Sequence, residues 1–140
     1  MRESKRTNQI MVILVCKTEG FSSDKVEAIK QNFKYFLKKS VVNLTSLCFI
    51  VHNGQADSIP TGKPELLYGT PFYQEIILGH NFRVSASAFL QIHIKMCEVL
   101  YEKIIGYVKD CEVVLDLGSG IGTIGISIMN KLKNVKVIGV

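Results

Sequence analysis

A chain of 140 residues, 47% of them hydrophobic and with a positive mean hydropathy, has enough apolar material for a core, which excludes a disordered polypeptide. No apolar run approaches the roughly 18 residues that would cross a bilayer, and the opening MRESKRTNQI is basic but lacks the apolar centre of a secretory signal. The net charge of +5, mostly from lysine, suits a nucleic-acid partner without requiring one.

The four cysteines, Cys16, Cys48, Cys97 and Cys111, have no C-x-x-C spacing, so reduced intracellular thiols are expected, in cytoplasm or nucleus rather than mitochondrion. His52 and His80 have no acidic or cysteine neighbour at metal-ligand spacing, so no metal site is expected.

In chain order, residues 9–16 (QIMVILVC) predict a strand, and Ser22, Ser23 or Asp24 can cap a following helix. From Lys25 to Lys39, Val26, Ile29, Phe33, Phe36 and Leu37 keep helical spacing, opposite a face carrying Lys30, Lys34 and Lys38. Such a charged face is most often simply solvated; contact with RNA is the alternative. Residues 42–51 predict a second strand, 54–64 a loop, and 66–68, 72–78 and 81–84 short strand-like pieces, the last two divided by Gly79-His80.

The period then changes. Phe89, Ile92, Met96, Val99, Leu100 and Ile104 predict one long helix, capped by Ser85 or Ser87. The expected division is therefore a small α+β segment with hairpins over residues 1–84 and a second region over 85–140.

The most informative stretch is VVLDLGSGIGTIGISIMNKLKNVKVIGV, residues 113–140. Val113, Val114, Leu115 and Leu117 run without alternation, the mark of a strand buried on both faces. Gly118, Gly120 and Gly122 then allow a tight turn that lets backbone approach a ligand. A helix through Leu132 and a strand containing Val135, Val137 and Ile138 complete a β-α-β unit.

Gly120-x-Gly122-x-x-Gly125 matches the dinucleotide fingerprint, but Asp116, two residues before Gly118, would oppose a pyrophosphate. A carboxylate there suits a ligand with a cationic amino group. The pattern apolar-apolar-Asp-apolar-Gly-x-Gly-x-Gly is similar to the first motif of S-adenosylmethionine-dependent methyltransferases. The dinucleotide site and a ligand-free glycine turn are the lesser alternatives.

A second segment narrows the resemblance. Phe82-Arg83-Val84-Ser85, then Phe89-Leu90-Gln91 and His93, resembles the start of the catalytic domain in RNA uracil-5-methyltransferases, where a strand ends in F-R-x-S and a helix opens with F-x-Q and an Asn. The eukaryotic-type tRNA (uracil-5-)-methyltransferases are the best-matching branch. Residues 65–140 carry the likeness well and the first 60 only loosely.

The resemblance implies a Rossmann-like α/β domain beginning near Ser85, S-adenosyl-L-methionine as cofactor, and RNA, tRNA in particular, as partner. Gln91, Gly118 and Thr123 would sit at cofactor-contacting positions, with Asp116, Gly120 and Gly122 completing the cradle. The chain departs from the family at Gly118-Ser119, where an aromatic residue and Cys are usual, at His93 in place of Asn, and at Ala86-Ser87, where proline is common. Gln91 as a mere helix-turn residue and His93 as a hydrogen-bonding residue are the structural alternatives, and Cys97 and Cys111 read as buried, inert thiols.

In that family a cysteine thiolate adds to uracil C6, C5 attacks the methyl sulfonium, and a carboxylate removes the C5 proton. None of the four cysteines here occupies the nucleophile's position, so catalytic residues are expected beyond Val140, and the chain reads as a fragment holding half a cofactor pocket. Two other readings remain: a class I methyltransferase acting on protein or a small molecule, and a non-catalytic RNA-binding paralogue.

Overall fold

The computed structural model describes residues 1–54 and 62–140. Most of the loop expected over 54–64 lies outside the described residues. The chain is α/β and divides into two compact units, Met1–Tyr73 with Ser85–Ser87, and Gln74–Val84 with Ala88–Val140.

Among the described residues, the first unit is a four-stranded mixed sheet in the order β1-β2-β3-β4 with one helix. Strand β1 (Arg2–Ser4), short and polar, has no counterpart in the sequence reading; it pairs antiparallel with β2 (Gln9–Cys16). The chain then crosses through helix α1 (Ser23–Ser40) to β3 (Leu44–Val51), which runs parallel to β2, and β4 (Glu65–Gly69) closes the sheet antiparallel to β3. Ser46, Leu47, Cys48, Phe49 and Ile50 of β3 are all buried, and with Met11 of β2 they form the core. Burial of side chains such as Leu47 and Phe49 contributes about 2 kcal/mol each.

Helix α1 starts where expected, with Ser22 Oγ accepting from Lys25 N at 3.4 Å. Its faces are not disposed as expected. Lys30 turns toward the sheet: its Nζ lies 2.6 Å from Glu65 Oε2 and 5.1 Å from the Phe49 ring centroid, and Lys38 lies over Tyr68. Ile29 and Phe36, assigned to the core face, are exposed. A lysine stem covers apolar surface while its ammonium keeps an ionic partner, so lysines at sheet-facing positions are compatible with packing.

The second unit contains residues Gln74–Val84 of a hairpin formed by β5 (Phe72–Ile77) and β6 (His80–Ser85). Its two turn residues, Leu78 and Gly79, have φ of 48° and 80°, the left-handed pair that a tight hairpin needs. The sequence boundary near Ser85 therefore cuts between a hairpin and the unit that contains most of it. Leu78 N donates to Glu98 Oε1 at 2.7 Å and fixes the turn against helix α2.

Helix α2 spans Ile94–Val108 and begins nine residues after the expected cap at Ser85. His93, not Ser85 or Ser87, caps it, its Nδ1 accepting from Met96 N at 3.2 Å. Ile92 is 100% exposed and Phe89 is exposed too, so the large apolar residues expected to anchor an earlier first turn bury nothing that would stabilise it. Within the helix the buried side chains are Cys97, Tyr101 and Ile105, while Met96, Val99 and Leu100 of the expected core stripe are exposed. Both faces are apolar enough to be read as core; of the expected stripe, Ile104 packs against the core and the other five residues are exposed.

Strand β7 (Val113–Asp116), helix α3 (Thr123–Lys131) and strand β8 (Lys136–Gly139) form the expected β-α-β unit, β8 parallel to β7 with Val113 opposite Lys136 and Asp116 opposite Gly139. Ile105, Ile128 and Val135 form its core, with Val114, Val137, Ile104 and Ile124 packed around them. The expectation that β7 is buried on both faces is corrected: Val113, Leu115 and Leu117 are exposed because the helical packing covers only the Val114 and Val137 side.

Candidate functional site

The turn from β7 into α3 takes its shape from three glycines. Gly118, Gly120 and Gly122 have φ of 71°, 58° and 75°, a conformation that costs other residues about 1–2 kcal/mol each. A side chain at Gly118 would meet nothing within 4 Å, and one at Gly120 only the Gly118 carbonyl at that limit. Backbone conformation, not crowding, demands glycine at these two positions, and the space above them is open.

Main-chain bonds hold the turn. Gly118 N and Ser119 N both donate to Val140 O, at 2.8 and 3.0 Å, and Gly122 N donates to Ser119 O at 2.8 Å. Val140 N returns a bond to Asp116 O at 3.0 Å. At Gly139 an added Cβ would come within 3.1 Å of Ser119 Oγ, so a side chain there would have to push the Ser119 hydroxyl aside.

Helix α3 begins without a side-chain cap of its own, since Gly122 occupies the N-cap position. Asp116, at the end of β7, fills that role from outside the helix: its Oδ2 accepts from Gly125 N at 3.1 Å. A carboxylate at a helix N-terminus stabilises it by about 1 kcal/mol through the hydrogen bond and the helix dipole. Gly125, the third glycine of the fingerprint, allows this approach, since a Cβ there would lie 3.1 Å from Val137 Cγ1 and 3.2 Å from Asp116 Oδ2.

Thr123, expected at a cofactor contact, is buried, and its hydroxyl lies 2.7 Å from the Tyr101 hydroxyl of α2. Its carbonyl accepts from Ser127 Oγ at 2.7 Å. Burial first, then the hydrogen bond with the Cys97 thiol, raises the Tyr101 phenol to about 12. Burial likewise pushes the Cys97 thiol up, away from the reactive thiolate. Tyr101 is a positioning residue that sequence reasoning missed; its only signal was its place four residues after Cys97 and before Ile105.

The structure thus brings Asp116, Gly118, Gly120 and Gly122 together at one strand end, with Thr123 directly behind. Gln91 is not joined to them: it is exposed, in the non-helical segment before α2, and no hydrogen bond ties it to the turn. Cys111, read as buried, is exposed. A groove lined by His80, Glu102, Asn130 and Lys131 lies at the other end of α3 and contains none of the glycine-turn residues. Among the described residues, no three His, Cys, Asp or Glu side chains are placed to hold a metal ion.

Chemically, the turn offers a carboxylate, backbone that a ligand can approach closely, and the first N–H groups of a helix, which have no intrahelical partner. That combination fits a zwitterionic amino-acid group better than a phosphate.

Comparison with known proteins agrees in direction. The chain is 31% identical over 137 residues to an uncharacterized RNA methyltransferase of Lactococcus lactis, covering 96% of this chain and 29% of that protein. It is 32% identical over 138 residues to mouse tRNA (uracil-5-)-methyltransferase homolog B, covering 94% and 28%. The fold is similar to the crystal structure of Pyrococcus abyssi tRNA (uracil-54, C5)-methyltransferase in complex with S-adenosyl-L-homocysteine, with a TM-score of 0.68 at 22% identity, over 99% of this chain and 31% of that one. No family model matches the chain. The chain spans 29% of the length of the first relatives it matches.

Proposed function

We propose that this chain, homologous over nearly its full length to part of the RNA methyltransferases, contributes the amino-acid end of the S-adenosyl-L-methionine site in a tRNA (uracil-5-)-methyltransferase. The observation that carries this reading is the meeting of Asp116 with three left-handed glycines, two of which, Gly118 and Gly120, lie under open space. Asp116 Oδ1 would receive the cofactor's ammonium while Oδ2 keeps the helix in place. Gly118, Gly120 and Gly122 would let the ligand lie against backbone, and Thr123, its hydroxyl engaged by Tyr101, would act through the main chain. Gln91, exposed in the segment before α2, would flank the cofactor as the resemblance implies.

When bound, the cofactor supplies an electrophilic methyl group. The residues of this chain would bind and orient it. The thiolate that activates uracil C5 and the base that removes its proton would come from other parts of the protein, since Cys97 is buried with a raised thiol pKa and no cysteine lies in the glycine turn. RNA, tRNA in particular, is the substrate in this reading, and the cytoplasm or nucleus is where the protein would meet it.

Calorimetry of the chain with S-adenosyl-L-homocysteine tests the reading. Binding by the parent chain that weakens at least tenfold, about 1.4 kcal/mol, in Asp116→Asn is the expected result. Equal affinity in both proteins, or a preference for a nicotinamide dinucleotide, would sink it.

A further inference from the structure

Helix α1 of the first unit presents a second surface. Lys25, Ile29, Asn32, Phe36 and Lys39 follow one another at steps of four, three, four and three residues, which puts them on one face over about 20 Å of helix. All five are exposed, Phe36 at 64%. Tyr35, also exposed, flanks Phe36 edge to face with ring centroids 5.6 Å apart.

The cations are already paired with rings. Lys39 Nζ lies 4.2 Å from the Tyr35 ring centroid and bonds its hydroxyl, and Lys25 Nζ lies 5.0 Å from that of exposed Phe21. Within α1 the acids are Asp24 and Glu27; neither falls on this stripe, and Glu27 bonds Gln31 and neighbours Lys30 instead. Lys30 and Lys38, which the sequence grouped with the outward lysines, are engaged by Glu65 and Tyr68.

Exposed rings between lysines, with no carboxylate among them, are complementary to one kind of partner. Phosphates need the cations and unpaired bases need the ring faces, the combination found in single-strand binding surfaces. A protein-docking patch is instead depleted of lysine at its core. We propose that the Lys25–Lys39 face of α1 binds single-stranded RNA, Tyr35 and Phe36 stacking on bases and Lys25 and Lys39 neutralising phosphates. This inference rests on RNA being the substrate class, but it concerns a surface distinct in residues from the glycine turn.

The test is fluorescence anisotropy of the whole chain with a labelled oligouridine, alongside S-adenosyl-L-homocysteine binding on the same preparations. Tyr35→Ala/Phe36→Ala should weaken RNA binding at least tenfold, within what stacking on a ring contributes. Lys25→Glu/Lys39→Glu should weaken it and reduce the salt slope by about 1.4, or 0.7 for each lost phosphate contact. Lys103→Glu/Lys109→Glu, with the same charge change in the second unit, should alter neither slope nor affinity by as much. All of these side chains are exposed, so circular dichroism should confirm unchanged folding.

If the α1 variants bind oligouridine like the parent while the control loses affinity, RNA binds elsewhere: the surface assignment fails and the RNA reading stands. If the parent binds S-adenosyl-L-homocysteine but no RNA, both fail for this chain. If the α1 variants change self-association and not RNA affinity, the stripe is a protein interface and the proposal is overturned.

Discussion

Asp116 Oδ2 accepts the backbone N–H of Gly125 at 3.1 Å, so a residue at the end of a strand caps the helix that follows it. The same carboxylate that stabilises the fold therefore stands two residues before Gly118, the first of the two glycines under open space. Asp116→Ala should lose about 1–2 kcal/mol of stability, because Gly125 N and the helix dipole lose their acceptor together. Asp116→Asn keeps an acceptor oxygen and should lose less than half as much. Thermal unfolding separates the two contributions: similar losses in both variants would mean that charge, not the hydrogen bond, stabilises the helix start.

Gly125 and Gly118 answer to different constraints, and their alanine variants should differ accordingly. Gly125→Ala gains about 1 kcal/mol of helix propensity but pushes a methyl to 3.1 Å from Val137 Cγ1 and 3.2 Å from Asp116 Oδ2. The net result should be destabilising by about 1–2 kcal/mol, typical of overpacking. Gly118→Ala meets no atom but must hold φ near 71°, a cost of about 1–2 kcal/mol from backbone alone. Denaturant titration gives both losses. A D-alanine at position 118, introduced by chemical synthesis, should restore stability there; at 125 it should not.

The sequence made this turn legible because glycine spacing and a preceding acid are local facts that conformation cannot hide. The same holds for β2 and α1, whose limits follow from an apolar run and a serine cap. What it could not supply was the choice between two faces of one helix. In α2 both Met96-Val99-Leu100 and Cys97-Tyr101-Ile105 keep helical spacing, and only the packing of α3 and the hairpin decides for the second set. In α1 the sheet-facing position of Lys30 depends on Glu65, 35 residues away in sequence. The resemblance puts Gln91 on a helix that in the structure begins three residues later, with Ile94.

Tyr101 makes the second unit sensitive to alkali. Its phenol is raised from 10.0 to about 12, chiefly by burial, with the Cys97 thiol adding to the rise and the Thr123 hydroxyl opposing it. Between these values the unfolded chain releases the proton and the native state keeps it, so stability is full below about pH 10 and falls as pH rises toward 12. A rise of this size corresponds to about 2–3 kcal/mol at the top of that range. Phenolate absorbance should show the Tyr101 phenol titrating late in the folded protein. Tyr101→Phe should abolish both the late titration and this part of the alkaline loss, and a parent-like profile in that variant would falsify the assignment.

Lys30 offers the sharpest test of the first unit, because its stem and its charge make separable contributions. Its side chain is only 14% exposed, lies against the Phe49 ring and bonds Glu65, whose own side chain is 52% exposed. The hydrogen bond to Glu65 raises the lysine pKa, so this ion pair is fully formed below the ordinary lysine range and is lost as pH rises through the raised value. An ion pair with one solvated partner contributes less than about 1 kcal/mol, whereas the buried stem contributes through apolar contact. Lys30→Met should therefore be close to neutral in urea unfolding and Glu65→Gln should cost under about 1 kcal/mol. Lys30→Ala should cost about 1–2 kcal/mol, since it leaves space beneath α1. If Lys30→Met is as damaging as Lys30→Ala, the charge rather than the stem holds the helix to the sheet.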